Sequence, residues 1–227
     1  MLTNFTQRNI ILWCVNLKLK KKGYDNVTIT YEFGKSLYVN MTNRCSNDCI
    51  FCLRNNHDDV NGKDELWLER EPEISEIKED FKRRDMSKYD SVVFCGFGEP
   101  FERFFDCMEI AKWLKENYNN ILIRVNTNGQ ANLIHEKDVT GDMKGLVDCV
   151  SISLNAPDRK RYDELCKSVY GENAFDALIE FAKKSALVVP EVIFSIVDKD
   201  LSEEDKEECK EIAEKCNVKL RIREYIE

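Results

Sequence analysis

Three cysteines fall within eight residues, at Cys45, Cys49 and Cys52, where a strand-like run from Leu37 to Thr42 gives way to a polar loop. Thiolates are soft ligands that select zinc or iron-sulfur clusters over hard cations, and an ordinary four-iron cluster takes four of them. Fully extended, the loop reaches roughly 23 Å at about 3.3 Å per residue, so wrapping it around three corners of a cluster is easy. No fourth thiolate is close in sequence, the next cysteine being Cys95. Three ligands leave one metal position open, as catalytic sites do and structural sites do not. A competing set adds His57 and reads C-x3-C-x2-C-x4-H, four ligands able to close a structural zinc in a non-catalytic binding module.

The length of 227 residues suits one domain with a sizeable core. Apolar residues at 43% and charged ones at 33% describe a globular, soluble chain, and the net charge of −8 argues against a nucleic acid as main partner. Seven of the ten cysteines sit singly in strand- or helix-like runs, a pattern that fits a reducing cytosol better than a disulfide framework. The apolar run Asn9 to Leu17 is followed, not preceded, by lysines and has no small-residue cleavage site, so neither a secretory signal nor a membrane span is expected. Residues 1–26 are expected to form an N-terminal extension, either a peripheral helix or poorly ordered chain, ahead of a single domain at 27–227.

Strand-like and helix-like segments then alternate to the end. Strands are expected at Leu37–Thr42, Ser91–Cys95, Ile121–Asn126, Cys149–Leu154, Val192–Val197 and Leu220–Tyr225. Helices are expected at about Pro72–Arg84, Arg103–Tyr118, Asp158–Cys166, Ala174–Ala186 and Ser202–Cys216, with a short one near Asn132. Strands joined by helical crossovers pair in parallel, and six units are too few for a closed eight-stranded barrel. The expected fold is α/β, a partial (β/α)6 TIM-like barrel or a twisted open sheet, with ligands at the carboxyl ends of the strands.

Several strands alternate where a strand buried on both faces would read as unbroken apolar sequence. Tyr38, Asn40 and Thr42 share one face; so do Arg124, Asn126 and Asn128, then Ser151, Ser153 and Asn155, then Arg221, Arg223 and Tyr225. A hollow lumen with the polar faces inside follows, and arginines there attract a carboxylate or phosphate. Arg124 and Arg223 are the candidate substrate contacts. The bland alternative leaves the last strand as an open edge with its arginines in solvent.

The turn Gly96-Phe97-Gly98-Glu99-Pro100 closes the second strand. Glycines let the backbone approach a ligand, and carbonyls with one carboxylate suit a primary ammonium. Asn126-Thr127-Asn128-Gly129 and Ser151 to Asn155 end the next two strands. Turn chemistry competes for Asn128 and Gly129, and a helix cap ahead of Pro157 competes for Asn155. Trp67 reads as a lid over the lumen or as a plain packing anchor, and Cys166 as core at helical spacing.

The cysteine spacing, with an aromatic before its last member, resembles the signature of the radical S-adenosylmethionine (SAM) enzymes. The resemblance implies a [4Fe-4S] cluster held by Cys45, Cys49 and Cys52, whose open iron is chelated by SAM. An electron from the cluster then cleaves SAM to a 5′-deoxyadenosyl radical that abstracts hydrogen from a small-molecule substrate. By position it places the Phe51 backbone beside adenine, Gly98 and Glu99 at the SAM amino group, and Asn126, Asn128, Ser153 and Asn155 at its carboxylate and ribose. Phe97 departs from the family's Gly-Gly-Glu-Pro motif by standing where the first glycine would be. A flavodoxin- or ferredoxin-type electron donor is implied.

A closer resemblance runs from Val27 onward. The runs Leu37–Cys45, Leu66–Pro72, Phe94–Pro100, Asn126–Ile134, Ser151–Pro157 and Arg221–Tyr225 look like the small TatD-associated radical SAM proteins. Those begin near Thr28, which makes Val27 an alternative start. The expectation is a cytoplasmic radical SAM enzyme acting on a small polar or anionic substrate. A glycyl-radical-enzyme activase is the narrower alternative.

Overall fold

The computed structural model describes residues 28–59, 64–199 and 201–225. Its frame is one seven-stranded sheet in the order of the chain. β1 is Thr30–Phe33, β2 Ser36–Val39, β3 Ser91–Phe94, β4 Leu122–Thr127, β5 Cys149–Ser153, β6 Glu191–Asp198 and β7 Lys219–Glu224. All neighbours from β2 to β7 pair in parallel, while β1 runs antiparallel to β2 with Tyr31 opposite Tyr38. The sheet is open, with β1 and β7 at its edges.

Crossovers supply the helices: α1 Ile74–Arg83, α2 Phe104–Asn117, α3 Ala131–Ile134, α4 Arg159–Cys166, α5 Asn173–Ser185 and α6 Glu203–Lys215. Their starts are written in side chains. Ser202 accepts a hydrogen bond from the Asp205 amide while Asp205 answers with the Ser202 amide, a capping box, and Asp158 accepts from the Arg161 amide at the start of α4. The expected strands and helices are all present, with ends shifted by a few residues. The addition is β1: Gly34, at φ +60°, turns the chain tightly enough to pair Thr30–Phe33 with β2, so six expected strands become seven.

The alternation read from sequence divides the two faces. Leu37, Val39, Val92, Phe94, Ile123, Val125, Val150, Ile152, Phe194 and Ile196 are buried in one core with the helices. The opposite face carries the polar set and a separate aromatic cluster of Tyr31, Leu66 and Phe97, with Tyr38 and Trp67 packed on it. Across that second face the charges of Arg221 and Arg223 on β7 act on Tyr38 of β2. The result is an open partial barrel, concave on its polar side.

No helix among the described residues is long and apolar enough to cross a membrane. The extension expected at residues 1–26 lies outside the described residues. Phe94 is fully buried between the sheet and its helices. Phe94→Ala should cost about 3–5 kcal/mol, seen as a lower urea midpoint at unchanged denaturant slope.

Candidate active site

The thiol loop leaves β2 at the carboxyl end of the sheet and is tied down mostly by hydrogen bonds. Its backbone pairs with the last turn of α4 and the chain just beyond: Asp48 N donates to Cys166 O at 3.0 Å, Ile50 N to Leu165 O at 3.0 Å, and Val169 N to Ser46 O at 2.9 Å. Side chains complete the tie through Gln130, which is fully buried. Its Oε1 accepts from Ser46 and Ser168, both at 2.9 Å, and its Nε2 donates to Asn47 Oδ1 at 2.8 Å and Tyr162 Oη at 3.0 Å. Asn128 adds a bond from Nδ2 to Ser46 Oγ at 2.8 Å.

Cys45, Cys49 and Cys52 are free and half-buried on this loop. Burial pushes the Cys45 and Cys52 thiols up; Cys49 is raised first by its hydrogen bond with buried Cys166 and then by burial. Arg54 opposes the rise at all three, with its guanidinium fixed by a 2.9 Å bond to Asn47 O. Among the described residues no three His, Cys, Asp or Glu side chains converge at metal-holding spacing, with or without His57. The donor set nevertheless fits iron: three soft ligands on a pinned loop, whose thiolates call for more positive charge than Arg54 supplies.

Glu99 sits beside that loop, its amide donating to Arg44 O at 2.8 Å. Its carboxylate is buried and accepts from Thr127 Oγ1 at 2.7 Å, the Asn128 amide at 2.6 Å and the Phe101 amide at 3.0 Å. No ion pair reaches it among the described residues. Burial outweighs the three hydrogen bonds and pushes its pKa up to about 7. A buried carboxylate with spare lone pairs and no cation fits an ammonium group.

The neighbouring glycines have a more local reason than approach to a ligand. A Cβ at Gly98 would fall 2.2 Å from Thr42 O and 2.6 Å from Arg44 O, and one at Gly96 2.0 Å from Asn40 Oδ1. Here the turn packs backbone to backbone against the root of the thiol loop. Phe97, the departure from the motif, sends its ring into the concave aromatic cluster, 5.2 Å from Trp67.

Other expected contacts divide. Asn128 is committed to Ser46 and to the Gln130 amide, which makes it a support of the loop. Asn126 accepts from Arg124 Nε at 2.9 Å. Ser153 is half-buried on the concave face, level with Ser195 and Arg221. Asn155 is buried at φ +55°, and its Oδ1 has no partner; the helix-cap role belongs to Asp158, which leaves this orphaned acceptor for a polar ligand. Phe51 packs half-buried against the main core. Arg221 and Arg223 are exposed on the β7 edge, yet Arg223 is coupled to Cys95, Arg124 and Tyr38 across the concave face. Ser46, Asn47, Gln130, Tyr162 and Ser168 were not foreseen. Ser46 and Asn47 lie between ligands, but nothing in the sequence joins Tyr162 to them.

With this geometry in place, the comparisons are informative. The model of the Radical SAM superfamily matches residues 39–215, and the chain belongs to that superfamily. Membership implies an iron-sulfur cluster and SAM. No curated protein matches. Among solved structures, Streptococcus suis SuiB bound to S-adenosylmethionine superposes with a TM-score of 0.63 at 19% identity, covering 86% of this chain and 41% of that one. SuiB bound to its precursor peptide SuiA gives 0.61 at 19%, covering 87% and 40%, so the chain spans about two fifths of that protein's length. A radical SAM methyltransferase from Sphaerobacter thermophilus gives 0.57 at 16%, covering 86% and 68%. At these identities the likeness is one of fold.

Two predictions test the site. Gln130→Ala strands the buried partners of four hydrogen bonds; it should cost about 1–3 kcal/mol in chemical denaturation and lower the iron bound after anaerobic reconstitution. Glu99 binds its proton more tightly in the folded chain than at the ordinary carboxylate value of 4.5. Its contribution to stability is therefore full below pH 4.5 and is lost as pH rises through about 7. Denaturation of the cluster-free chain across that window should show this slope, and Glu99→Gln should remove it.

Proposed function

We propose that the chain is a radical SAM enzyme that acts on a small anionic substrate. Cys45, Cys49 and Cys52 would hold a [4Fe-4S] cluster, which when bound supplies the electron that cleaves SAM to methionine and a 5′-deoxyadenosyl radical able to take hydrogen from the substrate. The observation that carries the reading is the buried Glu99 carboxylate, with no ion pair among the described residues, held against the root of a three-thiol loop. Glu99 would accept the SAM ammonium, and Asn155 Oδ1 would take a donor from the same molecule. Phe51, Gly98, Asn126 and Ser153 stand around the loop and the concave face as further candidate contacts. Gln130, Asn128 and Tyr162 would hold the loop in place without touching the reacting atoms.

Arg124 and Arg223 on the concave face support an anionic substrate. The runs that look like the TatD-associated radical SAM proteins support that subfamily, the unpaired cysteines support a cytoplasmic setting, and reductive cleavage of SAM calls for a flavodoxin- or ferredoxin-type donor.

Anaerobic reconstitution with iron and sulfide tests the proposal. The expected product is a brown protein with absorbance near ~400 nm and about four irons per chain. It should release 5′-deoxyadenosine from SAM with dithionite. Cys45→Ala, Cys49→Ala and Cys52→Ala should each abolish that release. A colourless zinc protein, or a reconstituted protein that forms no deoxyadenosine, would sink the idea.

A further inference from the structure

Two walls of opposite chemistry meet on the concave face. One is aromatic: Trp67 stands edge-on to Phe97, and Tyr38 lies 5.2 Å from Tyr31 between ring centroids. This cluster is separate from the main core, and Trp67 and Tyr38 are only half-buried, so ring surface is left uncovered. The segment carrying Trp67 is fixed across that face by Asn40 Nδ2, which donates to Leu66 O at 2.8 Å, and by Asn43 Nδ2, which donates to Leu68 O at 2.7 Å.

The other wall is cationic. Arg124, Arg221 and Arg223 make no ion pair within 4.0 Å among the described residues, and Glu191, the acid level with Arg124, is held by Lys219 at 2.5 Å. Arg124 spends Nε on Asn126, which leaves its two terminal nitrogens uncommitted to an acid. Arg223 is exposed along its stem, while burial of its guanidinium against the concave face lowers it, Cys95 raises it, and the charges of Arg221 and Arg124 lower it again. Like charges that share one face repel, and an anion bound among them relieves that repulsion. Guarding the β7 edge would account for Arg221 and Arg223 but not for half-buried Arg124 inside the sheet. Tyr38 joins the walls: it lies level with Val93 of β3, which lies level with Arg124 of β4, and the charges of all three arginines act on it.

Resting on the reading above of the same site, we infer that its substrate is a planar aromatic ring joined to an anionic group. The ring lies against Trp67, Phe97 and Tyr38, and the anion lies on Arg124, Arg221 and Arg223. Ring stacking and a bidentate guanidinium contact each add affinity, so a molecule with both parts gains over either half.

The test is anaerobic titration calorimetry on the reconstituted full chain with SAM bound. The probes are indole-3-carboxylate and guanosine 5′-monophosphate; the halves are indole, guanosine, acetate and inorganic phosphate. At least one bipartite probe should bind about tenfold or more tighter than both of its halves, and the tighter of the two identifies a carboxylate or a phosphate. Trp67→Ala and Arg223→Gln, shown folded by circular dichroism, should each weaken that probe about fivefold or more. Arg221→Gln, at an exposed edge position, repeats the test where Trp67→Ala fails to fold. Bipartite probes no better than their halves, or variants that bind as the parent does, overturn the inference. If deoxyadenosine is still released from SAM in that case, only the substrate class falls; if it is not, the enzymatic reading falls with it.

Discussion

The carboxamide of Gln130 carries more of this structure than its size suggests. A loop with three thiols in polar sequence has little apolar surface to anchor it, so its position must come from directed bonds. Gln130 gathers two hydroxyls, an amide oxygen and a phenol from three separate stretches of chain. Buried networks of this kind hold their members closely when every partner is satisfied, and suffer when one is lost. Glu99 extends the network to the end of β3 through Thr127 and the Asn128 amide, which fixes the acidic turn and the thiol loop relative to one another. The chemistry of the site depends on that fixed relation, because a cluster and a small ligand beside it tolerate little drift.

Much of the fold was legible because its determinants are periodic. Alternating strands and amphipathic helices follow from which residues must avoid water, and Val39, Phe94, Val125 and Ile152 end in the core as the pattern requires. β1 was harder, since it is only four residues long, its burial does not alternate, and only the turn at Gly34 makes the pairing. The site was legible where chemistry restricts residue type, as at the thiols and Glu99. It was not legible where roles depend on distance. Tyr162 reads as a helix core residue, and only the folded chain brings its hydroxyl to Asn47 and Gln130. Gly98 shows the same limit: its sequence context suggests approach to a ligand, and the structure shows in addition that the place of a side chain there is taken by Thr42 and Arg44.

One sheet serves as two surfaces because its side chains alternate. The helix side is a dense apolar layer that contributes stability, while the concave side keeps amides, hydroxyls and arginines beside a small aromatic cluster. A polar interior of that kind would be unfavourable in a closed and dry barrel. The open edge at β7 lets water or a polar ligand reach it, so incomplete closure is what makes the polar lining tolerable.

That same open edge has a bearing on solubility. A terminal parallel strand leaves a row of amide and carbonyl groups ready to template a foreign strand, and Ile222 adds exposed apolar surface there. Lys219, Arg221 and Arg223 outnumber Glu224 on the strand, so a second copy of it meeting edge to edge would face electrostatic repulsion. The seam that admits small anions therefore also discourages the chains from zipping into fibres.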